Sequence, residues 1–212
     1  MSTLDYILNK FNISLDDKTP MPIEIPNFGR DLLTGLFSEL EYKVGAEIGV
    51  LAGEYSELLC KNNPGLKLYG IDPYIAYSQH KNQLQLDRFY SEARARLAPY
   101  PEYQFITKPS MEAVEGFEDD SLDFVYIDGD HDFLSVMADI TSWSNKVKPG
   151  GIISGHDYIR RKNPTNHHVV EAIQSYVRDN KIFPWFVLGL NAEIPEMIRD
   201  KLRSWMWVKQ YS

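Results

Sequence analysis

The sequence predicts an α/β domain built on one doubly wound, mostly parallel sheet with helices on both faces. Three observations carry that expectation. Short apolar runs alternate with amphipathic helical segments along most of the chain, the pattern of strand–helix–strand units. The run at 44–48 breaks into a turn that holds Gly49 and Gly53 and passes straight into a helical segment. The run at 122–127 alternates little, as expected of a strand covered on both faces.

At 212 residues and 43% hydrophobic, the chain suits one globular domain with its own core rather than a disordered or fibrous chain. The net charge is −8 and the basic residues form no stripe; no nucleic-acid partner is therefore expected. Cys60 is the only cysteine, which excludes an intrachain disulfide and fits a reducing compartment. The first residues lack a basic and then apolar leader pattern, and no apolar run approaches the roughly 20 residues that span a bilayer. A cytoplasmic protein with no membrane partner is the expectation.

Residues 1–40 read as two helices around a proline-rich link. Leu4, Ile7, Leu8 and Phe11 mark one helix face; Pro20, Pro22 and Pro26 keep the link extended. Leu32, Leu33, Leu36, Phe37 and Leu40 give the second helix, 30–40, its apolar stripe. The strand at 44–48 follows, then the glycine turn and a helix from Tyr55. A strand at 66–71 ends at Asp72. Pro73 to His80 is a loop with Tyr74 and Tyr77, and a polar helix spans about 83–97, its Arg88, Arg94 and Arg96 on a solvated face. A strand at 103–107, a turn at Lys108, Pro109 and Ser110, and a short helix at 111–117 come next. The strand 122–127 ends in Asp128-Gly129-Asp130-His131-Asp132. The helix 133–146 places Leu134, Met137, Ile140 and Trp143 inward. Lys148-Pro149-Gly150-Gly151 is a turn into a strand at 151–154, which ends in Gly155-His156-Asp157. A polar loop, a helix at 167–178 and two aromatic strands, 185–188 and 205–208, complete seven strands. Only the segment 192–203 separates the last two, too little for an ordinary right-handed crossover, so an antiparallel pairing is expected there. No repeat or domain boundary is visible: a single domain, 1–212, comprises an N-terminal helical cap, 1–42, and a core, 43–212.

Ligands of open α/β sheets bind beyond the carboxyl ends of the strands. Those ends deliver Glu47 and Gly49, Asp72, Ser110, then Asp128, Asp130 and His131, then His156 and Asp157. Any one of these acids could be a turn residue or a helix cap; the whole set on one rim points to a site. A glycine lets backbone approach a ligand closely, and the helix after the turn offers free N–H groups. Asp72, 25 positions after Glu47, can accept hydrogen bonds from ribose hydroxyls. His80, His167 and His168 read as surface or loop residues.

Glu47-x-Gly49-x-x-x-Gly53 after a first strand resembles the first motif of class I S-adenosylmethionine-dependent methyltransferases, and differs from the dinucleotide G-x-G-x-x-G pattern. Asp72, the stretch 122–131 and the stretch 148–153 resemble the family's later motifs. The resemblance covers about 44–210 and is greatest to the small group called methyltransferase domain 24. It implies a Rossmann-like, seven-stranded sheet, mostly parallel with an antiparallel last strand. It also implies S-adenosylmethionine as cofactor: Glu47, Gly49 and Gly53 around its amino-acid part, Asp72 on the ribose, Tyr74 or Ile71 bordering the adenine, Ser110 and Met111 near that ring, and Asp128 close to the methyl donor.

A narrower resemblance, to metal-dependent sugar and catechol-like O-methyltransferases, implies a divalent cation on Asp128, His156 and Asp157, with Asp130 as base. His156 departs from that pattern, because Mg²⁺ prefers oxygen ligands and an imidazole suits a transition metal better. Without a metal, His131 or His156 would be the base. The expected activity is methyl transfer to a hydroxyl or amine of a small-molecule acceptor, with a sugar among the candidates, metal assistance an option, and Asp130 or His131 as the catalytic base. The alternatives are a non-catalytic cofactor-binding or assembly module of the same fold, an NAD-dependent oxidoreductase, and a metal-dependent enzyme of another reaction type such as hydroxylation. The N-terminal helices and the aromatic end leave a homodimer open. Pro73 to Gln83, the cap, and the loop with Arg160-Arg161-Lys162 would select the acceptor.

Overall fold

The computed structural model describes residues 1–76, 82–160, 168–189 and 203–210. Expectations that fall on Tyr77, His80, Arg161, Lys162, His167 and most of 192–203 lie outside the described residues. The elements run α1 (Thr3–Lys10), β1 (Ile23–Ile25), α2 (Arg30–Glu39), β2 (Val44–Ile48), α3 (Glu54–Asn62), β3 (Lys67–Ile71), α4 (Gln83–Leu97), β4 (Tyr103–Ile106), α5 (Ser110–Ala113), β5 (Leu122–Ile127), α6 (Phe133–Lys146), β6 (Val147–Gly155), α7 (Val169–Asp179), β7 (Phe186–Leu188) and β8 (Ser204–Val208). They form one sheet in the order β1-β7-β8-β6-β5-β2-β3-β4. Every neighbouring pair is parallel except β8 with β6 and with β7. Among the described residues no helix is long and apolar enough to cross a membrane.

The sheet thus has eight strands where seven are expected. The extra one, β1, is three residues of the proline-rich link, paired with β7 from Ile23–Phe186 to Ile25–Leu188. Pro22 and Pro26 flank it, and a proline that cannot donate to a ladder is tolerated at a sheet edge. A run this short between prolines carries no alternation to detect. The expected turn at 148–151 also lies inside a strand. The β5–β6 register jumps from Leu122–Val147 to Phe124–Ile152, so these residues bulge out of the ladder.

Period-two alternation divides the core. Val125, Ile127, Ile153, Trp205 and Trp207 face α6 and α7. Phe124, Tyr126, Ile152 and Met206 face the other way, with Ile7, Leu33, Leu36 and Phe37 of the N-terminal helices and Leu59, Ala93 and Leu97 of α3 and α4. One inward expectation fails: Leu134 is 76% exposed. It lies in the first turn of α6, where that helix rises past the sheet edge.

The strand order reverses between β2 and β5, which are adjacent although two helix–strand units separate them in sequence. The crevice beyond such a reversal is where an open α/β sheet binds ligands. Backbone bonds carry the ladder one residue past the strands there: Asp128 N–H donates to Ile48 O at 2.7 Å, Gly49 to Ile71 at 2.9 Å, Asp72 to Ile106 at 3.2 Å and His156 to Ile127 at 3.0 Å. These bonds set the rim residues in one row.

Candidate active site

The turn after β2 is held from the side by Asp72. One carboxylate oxygen accepts the N–H groups of Val50 (3.1 Å) and Leu51 (3.0 Å); the other accepts that of Tyr74 (2.9 Å). Leu51 adopts φ 50°, a left-handed conformation a leucine rarely takes, and the Tyr74 hydroxyl donates to its carbonyl at 2.9 Å. Asp72 therefore organises the turn. A carboxylate offers about four acceptor positions, so three N–H bonds leave room for one hydroxyl. Tyr74, buried against the turn, borders no cavity, whereas Ile71 does.

Glu47 is 2% exposed and accepts a hydrogen bond from the Ser56 hydroxyl. Burial pushes its carboxyl up to about 8, against the lowering effect of Ser56. An unfolded glutamate releases its proton near 4.5, so the folded form holds a proton that the unfolded chain loses between those values. This group's contribution to stability is thus greatest in acid and falls as pH rises from about 4.5 to about 8. At about 1.4 kcal/mol per pH unit the difference is of order 3 kcal/mol. Glu47→Gln, neutral throughout, should gain on the wild type by that order between pH 5 and pH 8 in urea unfolding; a pH-independent difference would reject the assignment.

Two cavities meet over this turn. One of about 550 Å³ is lined by Ile48, Ile71, Pro109, Met111, Leu134 and Ala138, with Asp72, Ser110, Asp130, Ser135 and Asp139 as its polar groups. The other, of about 240 Å³, is lined by Arg30, Glu47, Glu54, Tyr55, Asp128 and His131. Gly49, Asp72, Ile75 and Gly129 border both. The larger cavity carries three carboxyls and, among the described residues, no basic side chain. Ile75, Met111 and Leu134 are 58, 43 and 76% exposed at its wall, an apolar rim of the kind a ligand covers.

At the smaller cavity the ends of β5 and β6 bring four side chains together. His131 Nε2 lies 3.0 Å from Asp157 Oδ2 and 3.9 Å from Asp128 Oδ1. His156 Nδ1 lies 3.6 Å from Asp128 Oδ2 and 3.5 Å from Asp157 Oδ2. Ligating atoms of Asp128, His131 and Asp157 lie within 4.8 Å of one another and could hold a metal ion. Burial alone would depress the His131 imidazole, but the two carboxylates outweigh it and hold it at about 9. Burial likewise works against Asp157, whose carboxyl the two imidazoles still keep well below the ordinary range. Burial raises the Asp128 carboxyl. Asp157 also adopts φ 60°; a strained backbone held at a buried acid is common in active sites.

Asp130 does not join this group. Its carboxylate accepts the N–H of His131 at 2.7 Å and of Asp132 at 3.4 Å, and the Ser135 hydroxyl at 3.3 Å, so it shapes its own loop and faces the larger cavity. Ser110 and Met111 do line that cavity. Sequence reasoning missed two participants. Arg30, the first residue of α2, reaches 3.6 Å from Asp128 Oδ2 and lies 5.5 Å over the Tyr55 ring; only the tertiary fold brings it there. Asp139 lies on the inner stripe of α6 with Val136, Ile140 and Trp143, and an acid on such a stripe was the available signal. Arg96, expected on a solvated face, instead donates to the Ala52 carbonyl at 3.0 Å and pairs with Glu57 at 2.8 Å.

A doubly wound sheet with an acid-lined, base-free double cavity at its reversal defines an α/β enzyme for a nucleoside-like ligand without phosphates. A family model described as a methyltransferase domain matches residues 46–158, more than half of the chain, and the chain belongs to that family. No curated protein sequence matches it. Its fold is similar to that of the cofactor-bound Rv0187 from MTB, at 14% identity and TM-score 0.62 over 99% of this chain and 90% of that one. The O-methyltransferase from Bacillus cereus in complex with SAH shares it at 18% identity and TM-score 0.59, over 98% and 90%. So does the O-methyltransferase TomG from Streptomyces achromogenes, involved in tomaymycin synthesis and solved with SAM, at 12% identity and TM-score 0.60, over 98% and 89%. At such identities the likeness is one of fold.

Proposed function

We propose that the chain transfers the methyl group of S-adenosylmethionine to a hydroxyl of a small molecule. The observation that carries this reading is the meeting of the two cavities at Gly49 and Gly129, with the imidazole–carboxylate group of His131, Asp128 and Asp157 on the smaller side. The larger cavity suits a nucleoside: apolar walls for a base, Asp72 for a sugar hydroxyl, and three carboxyls that favour a cationic ligand and disfavour a phosphate. That last property argues against NAD.

Bound there, S-adenosylmethionine supplies an already activated methyl group, so the protein's own work is alignment and proton removal. Alignment of an incoming oxygen with the methyl–sulfur bond is worth several kcal/mol, and the two-cavity shape supports it. His131 takes the proton from the acceptor hydroxyl, and Asp157 orients the imidazole and stabilises its charged form. Asp128 and Asp157, with the imidazole of His156, would hold a divalent cation, which would lower the hydroxyl's pKa and offset the negative charge that keeps a proton on His131. Two oxygens with an imidazole nitrogen suit a transition ion better than Mg²⁺.

Calorimetry of the whole chain against S-adenosylhomocysteine and NAD, each with EDTA and with Mn²⁺, tests the reading. One-to-one binding of the first ligand and none of the second is expected; absence of heat or thermal shift with S-adenosylhomocysteine in every condition overturns it.

A further inference from the structure

The mechanism leaves one buried acid unused. Asp139 on α6 is 5% exposed, yet lines the larger cavity. Its Oδ1 accepts the Ser110 hydroxyl at 2.5 Å. Ser110 in turn accepts the Trp143 indole N–H at 2.7 Å, so its one proton is committed to Asp139 and its orientation is set. The second oxygen, Oδ2, has no hydrogen-bond partner among the described residues. It lies 3.7 Å from the position a Cβ on Gly129 would take, on the wall that Gly129 leaves bare between the two cavities. A buried carboxylate oxygen is costly to leave unpaired, and this one is aimed into a space large enough for a base. Burial pushes the Asp139 carboxyl up to about 6; at pH 7.5 it is ionised and can only accept.

We propose that Asp139 accepts a hydrogen bond from the exocyclic amine of the adenine base and so makes the site selective for an adenine nucleoside over its deaminated, hypoxanthine counterpart. This rests on the reading of the larger cavity as the nucleoside site. Pro109, Met111, Leu134 and Ala138 form the apolar slot around the base. Ser110, with its proton already given to Asp139, cannot donate to a base carbonyl. In the hypoxanthine form a carbonyl oxygen replaces the amine and opposes the carboxylate. A site built to pair with a donor rejects an analogue that lacks it far more strongly than an apolar slot does.

The test is calorimetry at pH 7.5 with S-adenosylhomocysteine and S-inosylhomocysteine, on the wild type and on Asp139→Asn, with thermal melting to verify that the variant is folded. The wild type should prefer the adenine compound by about 10- to 100-fold. Asp139→Asn, whose amide can present either a donor or an acceptor, should lose most of that preference. A wild type that binds both compounds equally overturns the inference without recourse to any variant, and so does a folded variant that keeps the wild-type preference; in both cases the nucleoside site itself stands. Failure of the wild type to bind S-adenosylhomocysteine overturns the site reading and this inference together.

Discussion

Replacing His131 by alanine should lower the rate of methyl transfer by roughly 10²- to 10⁴-fold, the usual share of a positioned general base, and leave affinity for S-adenosylhomocysteine near that of the wild type. The imidazole borders the smaller cavity and touches Asp157 at 3.0 Å, whereas the nucleoside groups of the larger cavity sit on β3, α5 and α6. The contrast with Asp130→Ala sharpens the test. Asp130 accepts the N–H groups of His131 and Asp132 and the Ser135 hydroxyl. Its loss should loosen the loop that carries His131, lowering thermal stability together with activity. Initial rates at saturating cofactor, calorimetry and melting curves on both single variants separate the two roles. Full turnover by the alanine variant at position 131 would remove the imidazole from the mechanism; a dead but fully stable variant at position 130 would return the base to that aspartate.

Much of this was legible in the sequence because the rim of a doubly wound sheet is written locally. Each strand end is a short apolar run followed by its polar residue, and Glu47, Asp72, Asp128, His156 and Asp157 could be read off in that way. Which of those residues meet is a different matter. Asp130 and His131 are neighbours in sequence, yet the turn after β5 sends the imidazole toward Asp157 and the Asp130 carboxylate back to its own backbone. Sequence proximity could not divide them, because the division depends on one loop's hydrogen bonds. Asp72 was readable as a ribose ligand; its support of the Val50 and Leu51 amides, which comes from the parallel pairing of β2 and β3, was not. Arg30 was invisible for the same reason, lying nearly 100 positions from the aspartate it faces. The edge strand β1 escaped because three residues between prolines offer neither length nor period.

Gly49→Ala should cost the fold at least about 3 kcal/mol, in the range of mutations that force a steric conflict in a packed backbone. A Cβ there would sit 2.1 Å from the Asp128 carbonyl oxygen and 2.6 Å from its carbon. Neither atom belongs to a side chain that can swing away. Asp128 is held by its N–H bond to Ile48 O at 2.7 Å, so relief of the clash must part the ends of β2 and β5. Backbone strain adds to it, since Gly49 has φ 91°, a conformation that side-chain-bearing residues rarely adopt. Gly65→Ala is the control that separates the two effects: its φ is 82°, yet nothing lies within 4 Å of the added Cβ. That substitution should cost only the conformational strain, about 1 kcal/mol. Urea unfolding of both variants measures the difference. If Gly49→Ala loses no more than Gly65→Ala, β2 and β5 do not press together at this point. Should the difference appear as expected, the glycine of the first motif serves the chain itself: it lets the two strand ends that carry the nucleoside turn and the His131 loop approach to backbone contact. The shared wall between the cavities then depends on that approach, and a Gly49→Ala protein that still folds should lose methyl transfer because Asp128 has moved.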